Sequence, residues 1–242
     1  MAQRLEAEVS TPGWVLGMDT LISGNANEYY DERYFEWQRP LGEFGAQAQI
    51  WMFRDYIRTS DIVIDFGCGG GFLLDILPGR IKIGVEVNPA AQEFAQRRGH
   101  QVVTDLSEIP DSYADVLISS HALEHTFDPF EKLKLARRKL KPGGLAVLVV
   151  PCERYDTKYV EQNMDQHVYT WAPINIGNLV RYAGFTVESC ERLAHRSPPK
   201  AADIQRIIGW PLFHALCRAY ARLWPKLTQV RVVARKELYQ RP

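Results

Sequence analysis

Apolar positions along this chain follow two alternating rhythms. Ile62–Ile64, Ile81–Val87, His100–Val103, Asp115–Ser119 and Leu145–Val150 are short runs rich in valine and isoleucine, with little regular polar alternation. Runs of that kind read as strands buried on both faces of a sheet. Between them the apolar residues recur three and four apart, over Gly71–Leu77, Ala90–Arg98, Pro129–Leu140 and Trp171–Ala183. Each such stretch predicts a helix, and each stops at a breaker: Pro78-Gly79, Gly99, Lys141-Pro142-Gly143-Gly144 and Gly184. Asn88-Pro89 supplies a cap and a first helical residue for the second of them. Phe185–Leu193 and Thr228–Arg235 read as two final strands. Strands alternating with helices predict a doubly wound α/β domain, a parallel sheet with helices on both faces.

The two ends depart from this rhythm. Residues 1 to about 27 mix Gly, Pro, Ser and Asn with isolated apolars such as Trp14, Val15 and Leu16, as a poorly structured arm would. Tyr29 to Gln38 is dense in aromatics, and a helix with Phe44, Ala48, Trp51, Met52 and Tyr56 on one face is expected from about Leu41 to Arg58. Residues 1–40 are therefore read as an arm or lid on a domain spanning 41–242. Core packing is the plainer reading of the aromatic cluster. The sharper one makes Tyr30, Tyr34 and Trp37 ligand-facing rings, able to bury area and donate hydrogen bonds. Residues 194–226 form a helical insertion with the stripe Ile204, Ile207, Ile208, Leu212, Ala215, Leu216, Ala219 and Leu223, kinked or broken at Gly209-Trp210-Pro211. Its charges are mostly positive, Arg196, Lys200, Arg206, Arg218, Arg222 and Lys226 against Asp203. An amphipathic helix pair packed on the domain with a solvated basic face is expected there. A substrate lid, a homodimer contact and docking to an anionic surface are the alternatives.

Composition narrows the class without choosing within it. The hydrophobic fraction is 46% and the formal net charge is zero, so bulk charge offers nothing to nucleic acid or to a membrane surface. The cysteines, Cys68, Cys152, Cys190 and Cys217, are widely spaced with no C-x-x-C, against a zinc ribbon or disulfide framework. No signal peptide and no integral membrane segment are read, so a cytoplasmic protein is expected.

Chemistry concentrates at Ile62–Leu74, where a strand ends at Asp65, passes through Gly67, Gly69, Gly70 and Gly71, and resumes as a helix. Glycines are needed where a ligand lies against the backbone or a turn needs positive φ. Glu86 follows about 20 residues on, at the end of the second strand, the place for a carboxylate that binds ribose hydroxyls. The turn is not a dinucleotide fingerprint: counting G-x-G-x-x-G/A from Gly67, the last position is Phe72. There is no G-K-[ST] after it, so it is not a P-loop. Asp65 is a poor neighbour for phosphate and a good one for ammonium. An adenosine carrying an amino-acid tail fits these residues.

Asp65-Phe66-Gly67-Cys68-Gly69-Gly70-Gly71 resembles the D/E-x-G-x-G-x-G signature of class I S-adenosylmethionine-dependent methyltransferases. The resemblance continues in order through Gly84–Asn88, Thr104–Leu106, Ser120–His125, Lys141–Gly144 and Ala183–Phe185. It implies a seven-stranded Rossmann-like sheet of order 3-2-1-4-5-7-6 with the last strand antiparallel, and S-adenosylmethionine as cofactor. It further implies that Gly67, Cys68 and Gly69 line the methionyl part, with Asp65 near its ammonium. Glu86 holds the ribose, Val87 lies against adenine, Asp105 and Leu106 meet the adenine edge, and Ser119, Ser120 and His121 pass beside the sulfonium. The plain reading of Asp105 and Asp115 is turn capping; Asp105 is taken as a ligand contact and Asp115 as structural.

Methyl transfer to oxygen is helped by a base titrating near neutrality. His121, His125 and His167 are the candidates. His125 is read as closing its loop, and His167 or His121 as the base. His167 lies in Cys152–Tyr169, which in the resembled family borders the acceptor, so Tyr169 joins the substrate-binding set. His121–His125 also matches H-x-x-E-H, but that metalloprotease pattern needs a helix and here follows a strand. Ubiquinone-pathway O-methyltransferases are similar here, with E-x-x-E-H used for a divalent metal; His121 replaces the first acid, and no metal is expected. The reading is methyl transfer to a small-molecule acceptor, at oxygen, of the kind found in bacterial secondary or surface-glycan metabolism. N- or C-methylation and a non-catalytic S-adenosylmethionine-binding protein are the alternatives. Nucleic acid is disfavoured further because Ser119-Ser120-His121-Ala122 stands where an amino-methylation motif N/D-P-P-Y/F would.

Overall fold

The computed structural model describes residues 32–154, 156–160, 167–223 and 227–238. Seven strands form one sheet: β1 (Ile62–Phe66), β2 (Ile81–Val85), β3 (Gln101–Val103), β4 (Ala114–Ser120), β5 (Leu140–Glu153), β6 (Thr186–Leu193) and β7 (Leu227–Arg235). Their order is β3-β2-β1-β4-β5-β7-β6. β7 runs antiparallel to both its neighbours, and the other pairings are parallel. Six helices flank the sheet among the described residues: α1 (Glu32–Gln49), α2 (Phe72–Ile76), α3 (Pro89–Arg97), α4 (Pro129–Lys139), α5 (Pro173–Tyr182) and α6 (Ala201–Leu223).

Alternation within β1 explains why both faces must be covered. Ile62 and Ile64 pack with Leu117, Leu148 and Ile176 on one side of the sheet. Val63 packs with Met52, Phe53, Leu73 and Val147 on the other. Each such fully buried side chain contributes about 1.5–3 kcal/mol relative to exposure, so neither face can be left open. Asp115 is structural, as expected: its carboxylate accepts from Ile62 N–H at 2.9 Å and from Lys141 Nζ at 2.7 Å, pinning the start of β1. No described helix is long and apolar enough to cross a membrane.

Two elements differ from the sequence expectation. Among the described residues the first helix already runs from Glu32 rather than from near Leu41, and passes through Pro40 and the seam expected at residue 40. It yields after Gln49 to two 3-10 turns, Ile50–Met52 and Arg54–Tyr56, instead of continuing to Arg58. A proline inside a helix costs about 3 kcal/mol; burial of Phe35, Ala46 and Ala48 on the same helix offsets that cost. Lys141–Gly144, expected to be a turn, lies within β5. The pairing jumps from Ala114–Leu140 to Val116–Leu145, so these residues bulge from the ladder, with Gly143 at φ 81°.

The insertion contains α6, whose helical path is interrupted at Gly209 with φ 71° and ψ 168°, where the kink was expected. Phe44 of α1 stacks on Trp210 with centroids 5.6 Å apart and meets Phe213 edge-on at 5.7 Å. Those contacts seat the second half of α6 on α1, beside the carboxyl edge of the sheet.

Candidate active site

A cavity of about 960 Å³ opens at the carboxyl ends of β1, β2 and β4, where the strand order reverses. One end is the glycine turn. Gly67 N–H and Cys68 N–H both donate to Val85 O, at 2.8 and 3.1 Å, fastening the turn across the tip of β2. Gly67 has φ +79°, and a Cβ there would stand 2.2 Å from Ala122 Cβ, so only glycine fits. Gly69 has φ +52°, and a Cβ there would meet nothing within 4 Å, so the turn presents bare backbone to open space. Cys68 turns its sulfur toward β2, where Gly84 leaves the room: a Cβ on Gly84 would lie 2.4 Å from that sulfur.

Two carboxylates sit in this end. Glu86 accepts from Gly69 N–H and Asn88 N–H, both at 2.8 Å, and so ties the turn to the start of α3. Burial raises its pKa, against the lowering effect of those backbone donors. Asp65 is 1% exposed, and its Oδ2 has no hydrogen-bond partner. Burial first, and then the charge of Glu86, push its pKa up to about 7. A buried carboxyl oxygen without a donor, on the wall of a cavity, lacks a cation or a hydrogen-bond donor.

The expected cofactor set separates into two groups. Asp65, Gly67, Cys68, Gly69, Glu86, Val87, Asp105, Ser120 and His121 all line the cavity. Asp105 does so while capping: its Oδ1 accepts from Ser107 N–H at 2.9 Å and its Oδ2 from Lys132 Nζ at 2.6 Å. Burial opposes its ionisation, but Lys132 and Ser107 prevail and hold the pKa at about 2. Leu106 and Ser119 are corrections. The Leu106 side chain is wholly buried in the core and Ser119 is 1% exposed, so neither side chain reaches the cavity. Both positions alternate away from the cavity next to neighbours that face it, as extended or turning backbone requires.

The other end of the cavity is a histidine cluster. His167 Nδ1 lies 2.9 Å from Glu153 Oε1, and its Nε2 lies 3.9 Å from Glu124 Oε1. Glu124 is fully buried, and neither carboxylate oxygen accepts a hydrogen bond. His121, at φ 51°, places Nε2 2.8 Å from Gln229 Oε1 and Nδ1 3.3 Å from Glu124 Oε1. His125 meets His167 edge-on, with centroids 5.0 Å apart. Glu124, His125 and His167 each offer a ligand atom, and these lie within 4.8 Å of one another, a donor set able to hold a divalent cation.

The rest of the cavity wall corrects and extends the sequence reading. Tyr169 does not line the cavity: it stacks on Trp171 at 5.3 Å and its hydroxyl donates to Phe127 O at 3.1 Å. His167, two residues closer to β5, lines it instead. Tyr30 lies outside the described residues, as do the side chains of Tyr34 and Trp37, but Phe35 of the same helix is buried on the cavity wall. The arm around Trp14 also lies outside them. Residues the sequence did not reveal are Gln49, Glu153, His195, Arg196 and Gln229, all on the cavity wall. Ser120 Oγ donates to Gln49 Oε1 at 2.7 Å, closing α1 over the end of β4. Only Glu153 carried a signal, an acid at the end of a strand that points to the same edge as Asp65 and Glu86.

The sheet order, the glycine turn and the carboxylate at the tip of β2 together define a class I S-adenosylmethionine-dependent methyltransferase fold. The chain belongs to the methyltransferase-domain family, whose model matches residues 30–190. It is 33% identical over 121 residues to a ubiquinone biosynthesis O-methyltransferase of Pseudomonas savastanoi pv. phaseolicola, covering 44% of this chain and 51% of that protein. It is 23% identical over 148 residues to a tRNA (carboxymethyluridine(34)-5-O)-methyltransferase of Arabidopsis thaliana, covering 58% of this chain and 35% of that protein. The chain thus matches about half or less of the length of these relatives. Among solved structures, a SAM-dependent methyltransferase from Archaeoglobus fulgidus superposes with TM-score 0.62 at 20% identity, over 85% of this chain and 100% of that one. A geranyl diphosphate C-methyltransferase from Streptomyces coelicolor A3(2) superposes with TM-score 0.58 at 14% identity, over 80% and 79%.

The residues present fit S-adenosylmethionine. Asp65 Oδ2 lacks a partner where the ammonium would lie, Gly69 offers a cradle that a side chain would fill, and Glu86 on the cavity wall would face the ribose.

Proposed function

We propose that this chain transfers the methyl group of S-adenosylmethionine to a hydroxyl oxygen of a small acceptor, with His167 as general base. The observation that carries the proposal is the pairing of His167 Nδ1 with Glu153 at 2.9 Å, in the same cavity as the glycine cradle. Both curated relatives above are named as O-methyltransferases, which favours oxygen over nitrogen or carbon.

When bound, S-adenosylmethionine supplies a methyl group already electrophilic enough to need no acid catalyst. What remains for the protein is alignment, exclusion of water and removal of one proton. Asp65 receives the ammonium, Glu86 the ribose, Val87 and Asp105 the adenine side, and the backbone of Gly67–Gly69 the methionyl chain. Ser120 and His121 border the reacting centre. With Nδ1–H donated to Glu153, His167 keeps Nε2 free of a proton, and Nε2 takes the hydroxyl proton as the oxygen–methyl bond forms. Glu153 holds the ring in place through this exchange. His121, held between Gln229 and Glu124, is read as a positioning residue beside it. Phe35 on the cavity wall supports the lid reading of the aromatic segment of α1.

The test is isotope transfer from the labelled methyl donor to a panel of phenols, alcohols, amines and activated carbons. Label on a hydroxyl oxygen, in the presence of a chelator, supports the proposal. Label on nitrogen or carbon overturns the oxygen assignment. Donor binding without transfer across the panel favours the non-catalytic reading. Activity lost to chelator and restored by a divalent cation moves the proton-handling step from His167 to a cation at Glu124, His125 and His167.

A further inference from the structure

The second half of α6 carries an apolar stripe that nothing among the described residues covers. Leu212, Leu216 and Leu223 are 63%, 37% and 70% exposed, and recur four and seven residues apart along one helical face. The exposed Ala215 and Ala219 fill the gaps between them. The face that packs on the domain is a different one, made of Phe213, Cys217 and Ala221. So this segment has two apolar faces, and only one has a use inside the fold. The first half of α6 repeats the theme: Ile204, Ile207 and Ile208 share a face, none is buried, and Ile207 is 82% exposed. Scattered exposed leucines are ordinary, but an apolar stripe on each of two successive helical segments is not.

Charge decides what the stripe meets. Lys200, Arg206, Arg218 and Arg222 are exposed, and Asp203 is the one acid in Ala201–Leu223. At 100° per residue, Arg218 and Arg222 fall along one border of the Leu212–Leu223 stripe. A helix with exposed leucines bordered by arginines matches an anionic lipid interface: the leucines enter the acyl boundary and the guanidinium groups meet phosphates. A second copy of the chain fits poorly, since it would bring the same cations and no acid of the stripe to meet them.

We propose that α6 docks this protein on the surface of an anionic bilayer. The opposite, inward face of the same helix adjoins the cavity. Arg196, on the cavity wall, donates its N–H to Cys217 O at 3.3 Å, and His195 Nε2 lies 3.0 Å from His214 Nδ1. The proposal does not depend on methyl transfer, because it concerns an outer face of α6 and none of the cofactor or base residues.

The experiment is cosedimentation of the full chain with vesicles of phosphatidylcholine alone and of phosphatidylcholine mixed with phosphatidylglycerol. The wild type partitions onto the mixed vesicles and is released by salt. Arg218→Glu with Arg222→Glu lowers partitioning by about tenfold or more, given roughly 1 kcal/mol per basic residue near such a surface. Leu212→Ser with Leu216→Ser lowers it as well, and neither pair shifts the melting temperature, since these side chains are exposed. Equal partitioning onto both vesicle types, or variants that bind like the wild type, overturns the proposal. A dimer in light scattering that Leu216→Ser dissolves, with no vesicle binding, assigns the stripe to a second copy instead.

Discussion

The two ends of the cavity are made from different kinds of chain. The glycine end comes from one continuous turn, Gly67–Gly71, and the tip of the adjacent strand at Glu86–Asn88. Its ligand-facing groups are backbone and carboxylate, placed by strand order and by the need for positive φ. The histidine end is assembled from His121–His125 after β4, Glu153 at the end of β5 and His167 beyond it. Gln229 on β7 and His195 before α6 complete its rim. The first end can be read as a motif because its geometry is local. The second exists only once the sheet has closed, because β7 returns between β5 and β6 and brings Gln229 to His121, far away in sequence.

The sharpest way to separate the ends is to remove one function from each and ask whether the other notices. His167→Ala lowers kcat by about 10²–10⁴-fold, the usual range for a lost general base. The affinity for S-adenosylhomocysteine, measured by calorimetry, stays within a factor of about two, since His167 touches nothing in the glycine end. Full activity in His167→Ala ends its role as base. A parallel loss of cofactor affinity shows that the two ends are one mechanical unit.

That division also explains what the sequence made legible. The alternation of strands and helices, the turn at Gly67–Gly71, Asp65 and Glu86 were readable, because glycine, acid and hydrophobic run report conformations that few other residues can supply; the sheet order came with the family resemblance. Leu106 and Ser119 were misplaced for a simpler reason. A motif identifies a segment near a ligand, but alternation along that segment decides which side chains face it. Tyr169 failed for a different reason: its ring stacks on Trp171 and its hydroxyl donates to Phe127 O, contacts that exist only in the folded chain. Gln49, Glu153, His195 and Gln229 are common residue types in helix, strand or connecting positions, and their convergence depends on tertiary contacts such as Ser120 with Gln49. The helical stretch from Glu32 was hidden by Pro40, which reads as a boundary until the burial of Phe35 and Ala46 is known.

The next largest effect belongs to the glycine end. Glu86→Ala removes the carboxylate that accepts from Gly69 N–H and Asn88 N–H and stands at the ribose position. Leaving those donors unmatched and losing the ligand contact weakens S-adenosylhomocysteine binding by about 30- to 100-fold, on a scale of roughly 1–3 kcal/mol for such groups. With saturating donor, kcat falls far less than in His167→Ala. Unchanged affinity removes the ribose assignment.

The smallest effect is a pH dependence, and it tests the glycine end without altering a contact atom's position. The pKa of Asp65 is raised from 3.8 to about 7 by burial and by Glu86. A carboxyl group raised on folding keeps its proton in the folded chain while the unfolded chain releases it, so the free protein loses stability as pH climbs from about 4 to about 7. A ligand ammonium beside Asp65 prefers the ionised carboxylate. Binding of S-adenosylhomocysteine therefore tightens between pH 6 and pH 8, by up to about tenfold for one group titrating near 7. Its stabilising effect on the melting temperature grows over the same interval. Asp65→Asn binds more weakly above pH 7 and loses most of this slope. A pH-independent affinity in the wild type would mean that Asp65 is already ionised in the free cavity and satisfied by something other than the ligand.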